Sequence, residues 1–187
     1  MKSRRRRAQQ GFTLIELLVA MIILTVGMLG GAAIIAVAIA SNANSRMDTG
    51  AVALAQSTMD RILVISESNP LPTDMTDCKG NVHAISTAIG GAATTNIAGI
   101  GTGTQVIDFT QAAAGGYQMT YTLCAQGGAG YLGVDQVYDV RWNVSQGPTQ
   151  NTQLVLVAAK NVTEQGNGLS QTKYFSIPIT LRALRGN

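Results

Sequence analysis

Residues 11–16 read Gly11-Phe12-Thr13-Leu14-Ile15-Glu16, and residues 17–40 continue as 24 positions without a charge. Lys2, Arg4, Arg5, Arg6 and Arg7 stand ahead of them. As a helix the uncharged run is about 36 Å long, against a bilayer hydrocarbon core of roughly 30 Å. It can span a membrane. Basic residues favour the cytoplasmic side, which places the N-terminus inside and everything after Ala40 outside. Glu16 is the single charge between Gly11 and Arg46. A carboxylate in such a stretch costs on the order of 2.5–3.5 kcal/mol at the bilayer centre and less near its edge.

Three readings compete for this segment. In a cleaved secretory signal, Ala38-Ile39-Ala40 would be the small-residue site and Ser41 the mature N-terminus. The apolar region of such signals is only about 7–15 residues long, well short of this one. A plain single-pass anchor leaves Glu16 without a reason. The third reading rests on residues 11–16 in their context. A basic leader, Gly11-Phe12-Thr13-Leu14-Ile15-Glu16 and a long apolar helix together resemble the class III signal of type IV prepilins and pseudopilins. That resemblance implies a membrane prepilin peptidase that cuts after Gly11 and N-methylates Phe12. It also implies that Glu16 pairs with the N-terminal amine of a neighbouring subunit, neutralising both charges in an apolar filament core. Glycine suits the cut site because its backbone can enter a narrow protease cleft. Thr13-Leu14-Ile15-Glu16 also fits a helix-capping box, and both roles for Glu16 can hold together.

The apolar segment has no proline near Ala32 and Ala33, where major pilins usually carry a kink. It reads Ile23-Leu24-Thr25-Val26-Gly27-Met28-Leu29-Gly30, an ILxxGxLG pattern that resembles PilV-type minor pilins. Gly27 and Gly31 form a GxxxG spacing, which lets two helix backbones approach. The alternative is that glycine is simply common in membrane helices.

Beyond Arg46, apolar residues recur at Met47, Ala51, Leu54, Ala55, Met59, Ile62, Leu63 and Ile65. Steps of three and four predict one apolar helix face. Pro70 and Pro72 stop the helix, so it is expected from Phe12 to about Ser66. Gly50 is a weak point, worth about 1 kcal/mol against alanine. Val52-Ala53-Leu54-Ala55-Gln56 and Met59-Asp60-Arg61-Ile62 also resemble the second half of the PilV-type helix. The expected organisation is a leader at 1–11, a membrane or filament-core helix at 12–40, its amphipathic continuation at 41–69 and an exported domain at 70–187.

Within that domain, residues 74–116 read as a loop, low in complexity around Gly90-Gly91-Ala92-Ala93-Thr94-Thr95 and weakly patterned. Strands are expected at 117–124, 137–144, 153–162 and 174–184, in an antiparallel sheet over about 117–185. Pro178 marks an edge or an irregularity. Trp142 is the expected core anchor, the alternative being an exposed binding aromatic. The fold class is α+β: a long N-terminal helix whose second half packs on a C-terminal sheet, as the resemblance to type IV pilins also implies. Cys78 and Cys124 follow the apolar segment, and an even count in an exported region suggests one disulfide rather than two unrelated buried thiols.

Charge weakens one class of function. The first seven residues hold five of the 13 basic residues, leaving 8 basic against 10 acidic residues in the body. A nucleic-acid or acidic-lipid role for that body gains little support. No catalytic constellation is visible. The single histidine, His83, is expected in an exposed loop. No GxSxG motif or phosphate loop is present. Asp74 and Asp77 fall short of a calcium loop, so no metal or cofactor is expected. Asn143-Val144-Ser145 and Asn161-Val162-Thr163 match a glycosylation pattern that is common by chance. The expected protein is thus a non-enzymatic minor pilin, held in the inner membrane and then in a pilus at the cell surface. Its partners would be the prepilin peptidase, major and minor pilin subunits, the inner-membrane assembly platform and the lipid bilayer. A minor pseudopilin of a type II secretion system is the alternative. A membrane-tethered enzyme or receptor would need a polar constellation that the sequence lacks. Adhesion, motility and DNA uptake all stay open.

Overall fold

The computed structural model describes residues 13–66, 69–96, 105–112, 114–124, 135–149, 151–162 and 177–186. The chain divides into two compact units, Met1–Asn44 and Ser45–Asn187. One helix, α1 (Leu14–Val64), runs through both. Thr13 caps its start: the Glu16 N–H donates to Thr13 Oγ1 at 3.4 Å and the Leu17 N–H to the Thr13 carbonyl at 3.2 Å. These satisfy amide donors that the first helical turn would otherwise leave unpaired. The helix ends two residues before the expected Ser66, well short of Pro70 and Pro72.

In the second unit, Ala51, Leu54, Ala55, Thr58, Met59 and Ile62 of α1 are buried. Their steps of three and four are the stripe that the sequence pattern predicts, with Thr58 added. Thr58 fits because its hydroxyl donates to the Leu54 carbonyl at 2.9 Å, so no polar group is left unpaired.

The stripe packs on a five-stranded antiparallel sheet. Its long strands are β6 (Gln118–Leu123), β7 (Gln136–Gln146), β8 (Thr152–Asn161) and β9 (Ile179–Gly186). β7 lies between β6 and β8, and β9 pairs with the far side of β8. Register aligns apolar rows across the helix-facing side: Val144–Val155–Ala183, Trp142–Val157–Leu181 and Val140–Ala159–Ile179. Met119 and Tyr121 extend the rows from β6, opposite Val140 and Tyr138. Trp142 is fully buried at the centre, as expected, and its indole N–H donates to the Ser86 carbonyl at 2.8 Å. Pro178 stands just before β9, which is an edge strand. The arrangement is α+β and type IV pilin-like.

The stretch read as loop departs from expectation. It carries five short strands: β1 (Thr73–Thr76), β2 (Val82–Ile85), β3 (Gly90–Gly91), β4 (Thr94–Asn96) and β5 (Gln105–Ile107). β1 and β2 form one hairpin, β4 and β5 another, and β3 adds to the edge of β7 next to β6. Strands of two to four residues are too short to show alternation, which is why the pattern gave no signal. The Gly90-Gly91 pair is a close backbone approach rather than low-complexity filler. Gly91 has φ +142°, and a Cβ there would stand 2.4 Å from Asn143 Cα and 2.6 Å from the Trp142 carbonyl oxygen.

The β4–β5 hairpin covers the sheet's other face. Ala92 and Ile107 pack with Leu156 and Ala158 of β8 in a second small core, joined by Phe109 and Leu154. This explains why β8 is apolar on both sides: both of its faces are covered. Arg141 ties the cover down. Its guanidinium lies 4.8 Å from the Phe109 ring centroid, donates to the Gln111 carbonyl at 2.9 Å and pairs with Asp139 at 2.8 Å. Arg182 of β9 donates to the Gln105 carbonyl from the other side.

Candidate functional site

The first unit is defined by what its helix exposes. Leu14, Ile15, Leu17, Leu18, Val19, Met21, Ile22, Ile23 and Leu24 all face outward, and so do the apolar residues on to Ile39. A soluble domain rarely leaves so large a continuous apolar surface bare. The described part of α1 is long and apolar enough to cross a membrane. Glu16 is exposed within the first turn of that surface, and its backbone amide is held by Thr13. The capping half of the expected box, from Thr13 to Glu16, is therefore formed. A carboxylate in the first turn also suits the positive end of the helix dipole. Gly11 and Phe12 lie outside the described residues. A Cβ added at Gly27, Gly30 or Gly31 would meet nothing within 4 Å. The GxxxG face is thus open in the isolated chain.

The second unit forms the disulfide that the sequence suggested and holds other features that the sequence reading missed. Cys78 and Cys124 are joined, linking the β1–β2 turn to the end of β6. Within that turn the Asp77 carboxylate accepts hydrogen bonds from Lys79 N–H at 2.9 Å, Asn81 N–H at 2.8 Å and Asn81 Nδ2 at 2.8 Å. The Asn81 side chain is foremost among the causes that bring the Asp77 pKa down to about 2. His83 corrects the expectation of an exposed loop residue. It sits on β2 with its side chain 18% exposed, Nε2 3.6 Å from Asp77 Oδ2. Its ring leans on Tyr121, with centroids 5.9 Å apart. Tyr121 Oη in turn donates to the Thr76 carbonyl at 2.9 Å. The Asp77-Cys78-Lys79-Gly80-Asn81 run was the available signal, since Asp, Gly and Asn mark a turn whose flanks must pair.

Arg185 was also missed. It is buried, and its guanidinium donates to the carbonyls of Ile62 at 3.0 Å, Ile65 at 3.3 Å and Thr87 at 2.9 Å, and to Gln153 Oε1. A cation that takes up the last carbonyls of a helix is favoured by the dipole. Gly50, expected as a weak point, lies instead against Tyr138: a Cβ there would stand 2.3 Å from the Tyr138 hydroxyl oxygen. That hydroxyl donates to the Met47 carbonyl at 3.0 Å. These groups hold the fold together. Among the described residues no group of three or more His, Cys, Asp or Glu is placed to hold a metal.

The chemistry of the molecule is therefore concentrated at the head of α1: a capped helix start, an exposed carboxylate and a bare apolar surface. Residues 6–32 match the prokaryotic N-terminal methylation motif. The chain carries a type IV prepilin-like signal at the place where the sequence suggested one. With the α+β architecture, this supports a structural protein of the type IV pilin or pseudopilin kind. The motif implies processing by a prepilin peptidase and assembly with other pilins, and the apolar helix is consistent with membrane anchoring. No curated protein and no solved structure matches the chain.

Proposed function

We propose that this protein is a minor pilin of a type IV pilus, a low-copy subunit that helps prime or modify the fibre. The observation that carries the reading is the methylation-motif match over residues 6–32, on a helix whose first half presents an apolar surface with Glu16 as its one charge. In this reading residues 1–11 are removed after Gly11, and Phe12 becomes the methylated N-terminus. Residues 12–40 anchor the subunit in the inner membrane with the domain outside, and then pack in the filament core. Residues 41–69, helical as far as Val64, lead into the exported domain, 70–187. Glu16 pairs with a neighbouring Phe12 amine once bilayer water is lost. Gly27 and Gly31 supply a close-approach face toward another pilin helix. The ILxxGxLG pattern, with its PilV-type resemblance, favours a pilus over the pseudopilus of type II secretion, which shares the signal.

The test is the N-terminus of the mature protein. It should be N-methylated Phe12, and Gly11→Val should leave an uncut chain in the membrane, because a β-branched side chain stiffens and crowds the cut site. Recovery of Ser41 as the N-terminus would mean ordinary signal cleavage and would end the proposal.

A further inference from the structure

Cys78 and Cys124 are both exposed, and neither belongs to the cores on the two sides of the sheet. Other contacts hold together what they join. The Cys78 N–H donates to the Thr122 carbonyl at 3.4 Å and Tyr121 Oη to the Thr76 carbonyl at 2.9 Å. Lys79 Nζ lies 3.2 Å from Asp135 Oδ2, at the head of β7. Met75 and Ile85 seat the hairpin in the main core, and Asp77 fixes the turn by itself. The bridge therefore lies on the surface over a joint that does not depend on it.

Exposed disulfides are the labile ones, because an attacking thiolate can reach the sulfur without first unfolding the chain. We propose that Cys78–Cys124 is an exchange-competent disulfide, opened by a dithiol while the domain stays folded. One thiolate of the dithiol attacks one sulfur of the bridge. The S–S bond breaks, and the other cysteine leaves as a thiolate and takes a proton from water. The second thiol of the reductant then displaces the first cysteine from the mixed disulfide. The dithiol ends as a disulfide, and the protein gains two electrons and two protons as a pair of thiols. Opening removes the covalent link between the turn at Cys78 and the end of β6, while the hydrogen bonds and packing around it keep the turn, α1, β7, β8 and β9 in place. It makes this corner of the domain a surface bridge that a dithiol opens without unfolding what lies beneath it.

The experiment uses the full-length protein in detergent micelles with graded dithiothreitol. Thiols are counted by alkylation and intact mass while Trp142 emission is followed. Thiols should appear about tenfold faster in tenfold more dithiothreitol, since direct attack is bimolecular. Trp142 emission should not move. A rate that does not respond to dithiothreitol, thiols that never appear, or an emission shift in step with their appearance would each overturn the proposal. The double variant Cys78→Ser/Cys124→Ser should fold with the emission of reduced wild type. If it does not fold, the bridge is structural and the proposal fails.

Discussion

Leu29 and Leu54 lie on the same helix, yet Leu29 is 73% exposed and Leu54 is 4% exposed. The difference lies in the sequence around each. Residues 17–40 are apolar on every side, so no face can be chosen, and the segment requires surroundings as apolar as itself. Residues 51–62 carry apolar groups on one stripe and polar groups such as Gln56 and Asp60 elsewhere, which a sheet can satisfy. One helix thus serves two solvents. Its first half is suited to lipid or to other helices, and its second half has its packing supplied by its own chain.

The largest expected effect follows from exchanging the same residue type in the two halves. Leu54→Ala should lower domain stability by about 2–4 kcal/mol, the usual cost of a large-to-small change in a packed core. Leu29→Ala should leave domain stability within about 0.5 kcal/mol, as for an exposed site. Urea unfolding followed by Trp142 emission reads both. Equal losses in the two variants would break the contrast, because the first half would then be part of the domain core.

Glycine gives a second, smaller contrast. Gly50→Ala removes a poor helix former, which alone favours the helix by about 1 kcal/mol. The structure predicts the opposite net result, since the new Cβ would stand 2.3 Å from the Tyr138 hydroxyl oxygen. Overpacking of this kind costs about 1–3 kcal/mol. Tyr138→Phe removes the crowding atom, so the Gly50→Ala penalty should shrink in that background, and a double-mutant cycle measures by how much. Gly27→Ala, with nothing within 4 Å, should leave the domain unchanged. A stabilised Gly50→Ala protein would show that the helix tolerates a side chain at this contact.

How much of this was legible depended on length of pattern. The signal at 11–16, the uncharged run and the stripe at Ala51, Leu54, Ala55, Met59 and Ile62 are long or periodic, and each was readable. So were Tyr138, Val140, Trp142 and Val144, which alternate along β7. What escaped depends on contacts distant in sequence. Arg185 is one cation near the end of the chain, and only the fold brings it to the carbonyls of Ile62 and Ile65. Gly91 looks like a flexible residue until Trp142 and Asn143 are placed beside it. Thr58 reads as polar until its hydroxyl is seen to bond within the helix. At the head of α1 the residues Thr13 and Glu16 were readable because a capping box is local in sequence.

The smallest expected effect belongs to the β1–β2 turn, and it reads the polar side of the same contrast. Among the described residues, the exposed acid, Glu16, is hydrogen-bonded through its backbone amide, to Thr13. The buried one, Asp77, has its charge taken up by Asn81 and Lys79. With the folded pKa of Asp77 at about 2 and its ordinary value at 3.8, folding favours the ionised form. That stabilisation is fully present above the ordinary value and is lost as pH falls through it toward the folded value. Asp77→Asn should therefore be less stable than wild type near neutrality, and the gap should close as pH falls from about 4 to about 2. Asp108, lowered by hydrogen bonds from Thr110, keeps a similar acid dependence in both proteins, so only the gap is diagnostic. Running both in a His83→Gln background removes the ring that faces Asp77 Oδ2. Unfolding midpoints measured across this range check the outcome. A gap that stays constant down to the folded value would show that the turn is held by the shape of residue 77 and not by its charge.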